Sequence, residues 1–272
     1  MTEATEDRSV LTRPAPAPDE VLRYGPDTAH HVADVWRPAP GAAPGRPPVV
    51  FLHGGFWRPD YDRGHTRPLA AALRDAGWPV VSAEYRRVPG RPDLTTADVR
   101  AVLTALAALP GDAPGGTRGG YVLAGHSAGG HLALWAAATP GVPPPLGTLA
   151  LAPVADLRLA HELALDEDAV HAFLGAGPGG RPDLDPVRAP GPGSPVTILH
   201  GAADRIVPPA VAASYAAAHP GTRLVRLPGA GHFAVIDPLS AAWPAVPAAL
   251  AELAGPSGPD GPDGRSGATA PD

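Results

Sequence analysis

Three polar residues of this chain stand in glycine-rich turns that directly follow short apolar runs. Ser127 lies in Gly125-His126-Ser127-Ala128-Gly129, Asp204 closes Gly201-Ala202-Ala203-Asp204, and His232 lies in Gly229-Ala230-Gly231-His232-Phe233. A serine hydroxyl near neutral pH is a weak nucleophile. It gains strength when an imidazole takes its proton and a carboxylate orients that imidazole. Serine, then acid, then histidine is the chain order such a trio follows when the serine sits between a strand and a helix. The chemistry open to it is acyl transfer through a covalent intermediate that water releases. Ser127 is expected as nucleophile, Asp204 as acid and His232 as base. Asp156 also follows an apolar run and Asp237 lies close to His232, so either could take the place of Asp204 at this level of reading.

A fourth turn, His53-Gly54-Gly55-Phe56-Trp57, follows the run Val49–Leu52. Glycines there leave backbone N–H groups free to face an oxyanion, so Gly54 and Gly55, with Ala128 after the serine, are the expected oxyanion donors. Phe56, Trp57, Tyr85, His126 and Phe233 flank these turns and would form a flat aromatic slot for a small-molecule substrate. Of the eleven histidines, those at 30, 31, 161, 171 and 219 are expected at solvated positions. His53, His126 and His131 precede the acid and are assigned pocket or packing roles. Gly175-Ala176-Gly177-Pro178-Gly179-Gly180 has dinucleotide-loop spacing, but no strand leads into it and a proline interrupts it, so it reads as plain loop.

The elements that must position these groups alternate. Apolar runs at Val49–His53, Val80–Tyr85, Tyr121–Gly125, Leu146–Ala152, Val196–His200 and Leu224–Leu227 read as strands, and His31–Arg37 as an antiparallel edge strand. Alanine- and leucine-rich stretches at Leu69–Ala76, Ala97–Leu109, Gly130–Thr139 and Ala210–Ala218 read as helices. Strands apolar throughout, separated by helices, imply an α/β fold: a mostly parallel sheet covered on both faces, with ligands at the carboxyl ends of its strands. Residues 19–254 are expected as one domain, with 155–194 as a small cap. Residues 1–18 and 255–272 are expected to be disordered, the latter for want of apolar content.

Composition removes several alternatives. The chain has no cysteine, and all 21 basic residues are arginine, which excludes thiol nucleophiles, disulfides, Schiff-base lysines and a P-loop lysine. A formal charge of −6 with scattered arginines leaves no basic field for nucleic acid. The acidic start lacks the regions of a secretory signal, and no apolar stretch approaches membrane-spanning length, so a cytoplasmic protein without a membrane partner is expected. No cofactor and no metal are expected, since ligand spacings such as H-E-x-x-H are missing. A homodimer is left open.

HGGFW, GHSAGGHLA, the dipeptide Tyr85-Arg86, GAAD and GHFAVIDPLSAAW together resemble the kynurenine formamidase (arylformamidase) group of α/β-hydrolase-fold enzymes, related to the hormone-sensitive-lipase-type esterases. The resemblance covers about residues 30–253 and is sharpest at HGGxW. It implies hydrolysis of N-formyl-kynurenine to kynurenine and formate, with Ser127, Asp204 and His232 in the matching places. Related carboxylesterases carry HGGxW too, and Asp204-Arg205-Ile206-Val207-Pro208 is similar to the acid loop of dienelactone hydrolases, so a carboxylesterase on small acyl esters is the alternative. A catalytically silent ligand-binding protein of the same fold is the alternative of another class.

Overall fold

The computed structural model describes residues 6–38, 41 and 45–255. Eight strands form one sheet: β1 (Glu20–Arg23), β2 (Val32–Trp36), β3 (Val49–Leu52), β4 (Val80–Ala83), β5 (Val122–His126), β6 (Gly147–Leu151), β7 (Val196–Gly201) and β8 (Arg223–Leu227). Their order across the sheet is β1-β2-β4-β3-β5-β6-β7-β8. β2 runs antiparallel to both its neighbours, and every pairing from β4 to β8 is parallel.

Alternation along the central strands explains why both faces are covered. Val50, Leu52, Val81 and Leu123 face one apolar layer with Val99, Leu103 and Leu132, while Val49, Phe51, Val80 and Val122 face a second with Leu69, Leu73 and Leu250. The first layer receives α2 (Pro92–Ala108) and α3 (Ala128–Ala137), and the second α1 (Arg67–Asp75) and α7 (Ala245–Ala254). Each fully buried Leu or Val contributes about 2 kcal/mol, so the two layers together hold the helices onto the sheet. β8 and β1 are the edges; β1 alternates in exposure, and neither strand holds a fully buried residue.

Three expectations are corrected. β2 is not an edge strand, because the four-residue β1 pairs outside it. His31 is not solvated: it is 8% exposed, with Nε2 3.0 Å from the Asp98 carboxylate. Residues 6–18 are not disordered. Val10 is buried against the second layer, and Arg13 forms an ion pair with Asp237. The expected tail lies, apart from Gly255, outside the described residues.

The 155–194 segment holds α4 (Leu157–Glu162), α5 (Leu165–Leu174) and three short 3-10 turns, followed after β7 by α6 (Pro209–Ala218). At the start of α5, Asp166, Glu167 and Asp168 are left-handed, with φ of 50°, 56° and 56°, so regular helix begins only after them.

Candidate active site

Ser127 joins β5 to α3 with φ 55° and ψ −117°, a conformation that a side chain adopts only at a cost of about 1–3 kcal/mol. The surroundings hold it there. Its N–H donates to Leu151 O at 2.9 Å, and its carbonyl accepts from His131 N at 3.0 Å and Val154 N at 3.2 Å. Glycine at 129 is required by contact, since a Cβ there would overlap the carbonyl oxygens of Leu52 and His53 at the end of β3. Strand and helix thus pass at backbone distance, which lifts the serine onto the carboxyl end of the sheet.

Asp204 follows β7 and is 5% exposed. One carboxylate oxygen accepts from Ile206 N at 2.9 Å and Val207 N at 2.8 Å, and the other accepts from His232 Nδ1 at 2.7 Å. His200 Nε2 is 3.3 Å from the same oxygen. Burial alone would raise this carboxyl. Hydrogen bonds from His200, His232 and the Val207 amide outweigh it and hold Asp204 well below the usual carboxylate range. With Nδ1–H committed to Asp204, His232 presents the lone pair of Nε2. The ring of His126 lies 4.6 Å from that of His232, and His126 Nε2–H donates to the His232 carbonyl at 3.1 Å. Burial, then the neighbouring imidazole of His232, pushes His126 far down, so it is a neutral bridge between the serine turn and the histidine loop.

The two rival acids are engaged elsewhere. Asp156 caps α4 through Leu159 N at 2.8 Å and accepts from Ser214 Oγ at 2.5 Å, while Asp237 accepts from Arg13.

Gly54 lies against the serine: a Cβ on it would stand 3.0 Å from His126 O and 3.1 Å from Ser127 Cβ. Phe56 and Trp57 that follow are left-handed, with φ of 47° and 55°. A buried brace holds this turn. His53 stacks on Tyr85 with ring centres 4.3 Å apart, Tyr85 OH donates to His53 O at 2.6 Å, and His53 Nε2 lies 3.0 Å from Glu84 Oε1. Glu84 also accepts from Arg63 N at 3.0 Å and pairs with Arg87. Burial would raise the Glu84 carboxyl, but the facing His53 and then Arg87 carry it well below the usual range. Glu84 and Arg87 escaped the sequence reading, although they flank the Tyr85-Arg86 pair it singled out.

Ser127 and His232 line one cavity of about 490 Å³. Of the five aromatic candidates, Phe56, His126 and Phe233 line it. Trp57 and Tyr85 do not. The left-handed turn points Trp57 into the core, where it stacks on Phe173 at 4.5 Å, and Tyr85 lies wholly buried beneath His53. The rest of the wall includes Arg8 and Leu11 from the N-terminal segment, Tyr61 and His65, and Asp166 and Glu167 from the start of α5. His65 is pushed down to about 4, first by burial and then by His53. Arg58 Nε donates to Asp166 Oδ2 at 2.6 Å, tying the β3–α1 connection to the start of α5. Among the described residues no cluster of three His, Cys, Asp or Glu could hold a metal ion, and no helix is long and apolar enough to cross a membrane.

Residues 49–176 match the family model described as alpha/beta hydrolase fold. Two proteins of Mycobacterium tuberculosis (strain ATCC 25618 / H37Rv) are similar in sequence. "Probable carboxylic ester hydrolase LipM" is 33% identical over 147 residues, 48% of this chain and 34% of that protein. "Esterase LipQ" is 32% identical over 119 residues, 43% of this chain and 28% of that protein. The match spans about a third or less of the length of these curated relatives. Among solved structures, propionate-bound esterase Est2 of Thermogutta terrifontis is 25% identical with a TM-score of 0.61, covering 79% of this chain and 85% of that one. A truncated carbohydrate esterase from gut microbiota is 17% identical with a TM-score of 0.70, covering 88% and 99%. Sheet order, serine turn and these likenesses agree: this chain has the α/β-hydrolase fold.

Proposed function

We propose that this chain is a serine hydrolase that cleaves small carboxylic esters through an acyl-enzyme on Ser127. One observation carries the reading: the 2.7 Å His232–Asp204 bond leaves Nε2 of the ring free beside a cavity shared with a serine held in a strained turn. In this mechanism His232 removes the Ser127 proton as the oxygen attacks the acyl carbonyl, and the amides of Gly54, Gly55 and Ala128 receive the developing oxyanion. His232 returns the proton to the leaving oxygen, the acyl group stays on Ser127, and water activated by His232 releases the acid. The similarity to carboxylic ester hydrolases and esterases supports esters as the substrate class.

A formamide is the second reading, with N-formyl-kynurenine as its substrate and kynurenine and formate as products. It is favoured by a cavity wall carrying charge of both signs, Arg8 against Asp60 and Glu167, which suits a substrate bearing an amino and a carboxylate group. His232 would then protonate a departing arylamine in place of an alcohol.

Incubation with a fluorophosphonate tests the shared chemistry, with added mass on Ser127 as the expected result. A protein left unlabelled would instead be a silent binder of the same fold. Comparing kcat/KM for a p-nitrophenyl ester with that for an N-formyl arylamine separates the substrates. Preference for the ester is expected, and a strong preference for the formamide overturns that choice.

A further inference from the structure

The segment before β1 ends on the candidate site. Val10 is 1% exposed in the same apolar cluster as Leu69 and Phe233, and Arg13 pairs with Asp237. The Arg8 guanidinium lies 5.5 Å from the centre of the Phe233 ring, and Arg8 and Leu11 line the cavity that holds Ser127 and His232. At the tip of this strap, one carboxylate oxygen of Glu6 accepts from His232 N at 2.9 Å and the other accepts from Arg205 N at 3.2 Å. Those two amides belong to the two loops that carry the base and the acid. Glycine at 231 makes the room, because a Cβ there would overlap the Glu6 carboxylate.

Resting on the serine-hydrolase reading, we propose that Glu6 is a positioning residue for the reaction, clamping the Asp204 and His232 loops together through their backbones. His232 is tethered to Asp204 through its ring, to His126 through its carbonyl and to Glu6 through its amide. Only the Glu6 contact also reaches the residue next to Asp204. A carboxylate shared by two N–H groups makes charge-assisted bonds, stronger than neutral ones, in loops that lack a strand ladder at these positions. The clamp adds to the direct Ala203 N–Ala230 O bond of 2.9 Å between the same loops, and so bears on where Nε2 stands relative to the Ser127 oxygen. It touches neither substrate nor the reacting atoms.

The test uses the full chain with Glu6→Ala and Glu6→Gln, p-nitrophenyl acetate kinetics, fluorophosphonate labelling of Ser127 and thermal unfolding. Displacement of a reacting group by about an ångström costs up to roughly a hundredfold, so Glu6→Ala should lower kcat about tenfold, with KM within about twofold. The labelling rate of Ser127 should fall by the same factor. Glu6→Gln keeps one acceptor oxygen and should recover part of both rates. A Glu6→Ala protein with wild-type kcat and labelling rate overturns the proposal. So does a loss that Glu6→Gln shares in full and that tracks a common drop in unfolding temperature, the mark of a merely structural contact. Wild-type protein that takes up no fluorophosphonate removes the hydrolase reading itself, and with it this role.

Discussion

Tyr85→Phe separates two ways of using an aromatic beside the site. The ring is wholly buried and stacks on His53 at 4.3 Å, a contact that phenylalanine keeps. Only the hydroxyl is lost, and with it the 2.6 Å bond to the carbonyl of His53. Removing one partner of a buried hydrogen bond costs about 1–3 kcal/mol, the higher part applying when the acceptor left behind finds no water. In a domain of this size that lowers the unfolding midpoint by roughly 5 °C. The same bond holds the residue preceding Gly54 and Gly55. Losing one oxyanion donor outright costs about 10²–10³ in kcat, so loosening the turn that presents two should cost about threefold to tenfold. KM should stay nearly constant, since Tyr85 does not line the cavity. Circular dichroism melting and p-nitrophenyl acetate kinetics on the same preparation read both quantities. An unchanged midpoint together with a raised KM and intact kcat is the signature of a hydroxyl that touches substrate, and it would refute the brace.

Burial pushes His131 and His65 down to about 4, and burial with His232 beside it holds His126 well below the usual imidazole range. The folded protein therefore refuses protons that the unfolded chain takes up below about 6.5, so unfolding absorbs protons between pH 6.5 and 4. Stability should fall on acidification through that window, by about 1.4 kcal/mol per pH unit for each proton absorbed. Denaturant midpoints measured at pH 7 and pH 5 check this, and an equal or higher midpoint at pH 5 contradicts it. Asp204→Asn should leave the fold intact but lower kcat roughly 10³–10⁴-fold, because a carboxamide no longer fixes the Nδ1–H tautomer of His232. A loss under tenfold would mean that another acid serves His232. Gly129→Ala drives a methyl into the carbonyls of Leu52 and His53, so it should destabilise the chain by more than about 3 kcal/mol. A wild-type melting profile for that variant would show that the serine turn has slack.

The polar trio was legible because each member follows a strand of the parallel run: β5 before Ser127, β7 before Asp204 and the edge strand β8 before His232. A parallel sheet brings such positions to one edge whatever lies between them, so chain order alone carried spatial information. Direction was not legible in the same way. Trp57 and Tyr85 sit one or two residues from site loops, yet backbone sign at Trp57 and a stacking partner for Tyr85 send both into the core. Partners distant in sequence were equally invisible, as with the Glu84 carboxylate beneath His53. No period in the sequence marks β1, whose four residues alternate weakly and owe their place to pairing with β2.

Composition misled most at the N-terminus, and the reason is physical. Proline-rich polar sequence signals disorder on average because it buries too little apolar area to offset chain entropy, an argument about the segment alone. Between residues 6 and 13 the compensation comes from outside it: an apolar pocket for Val10, a carboxylate for Arg13 and two unladdered amides for Glu6. Few contacts are needed when the surface they meet is already built. A strap of this kind also has a direction of dependence. The sheet and helices contribute the buried layers without it, whereas the His232 loop has its own amide satisfied by Glu6. Loss of the strap should therefore weaken catalysis before it weakens the fold, so activity and unfolding temperature should part company in variants of Glu6, whereas they should fall together in variants of Gly129.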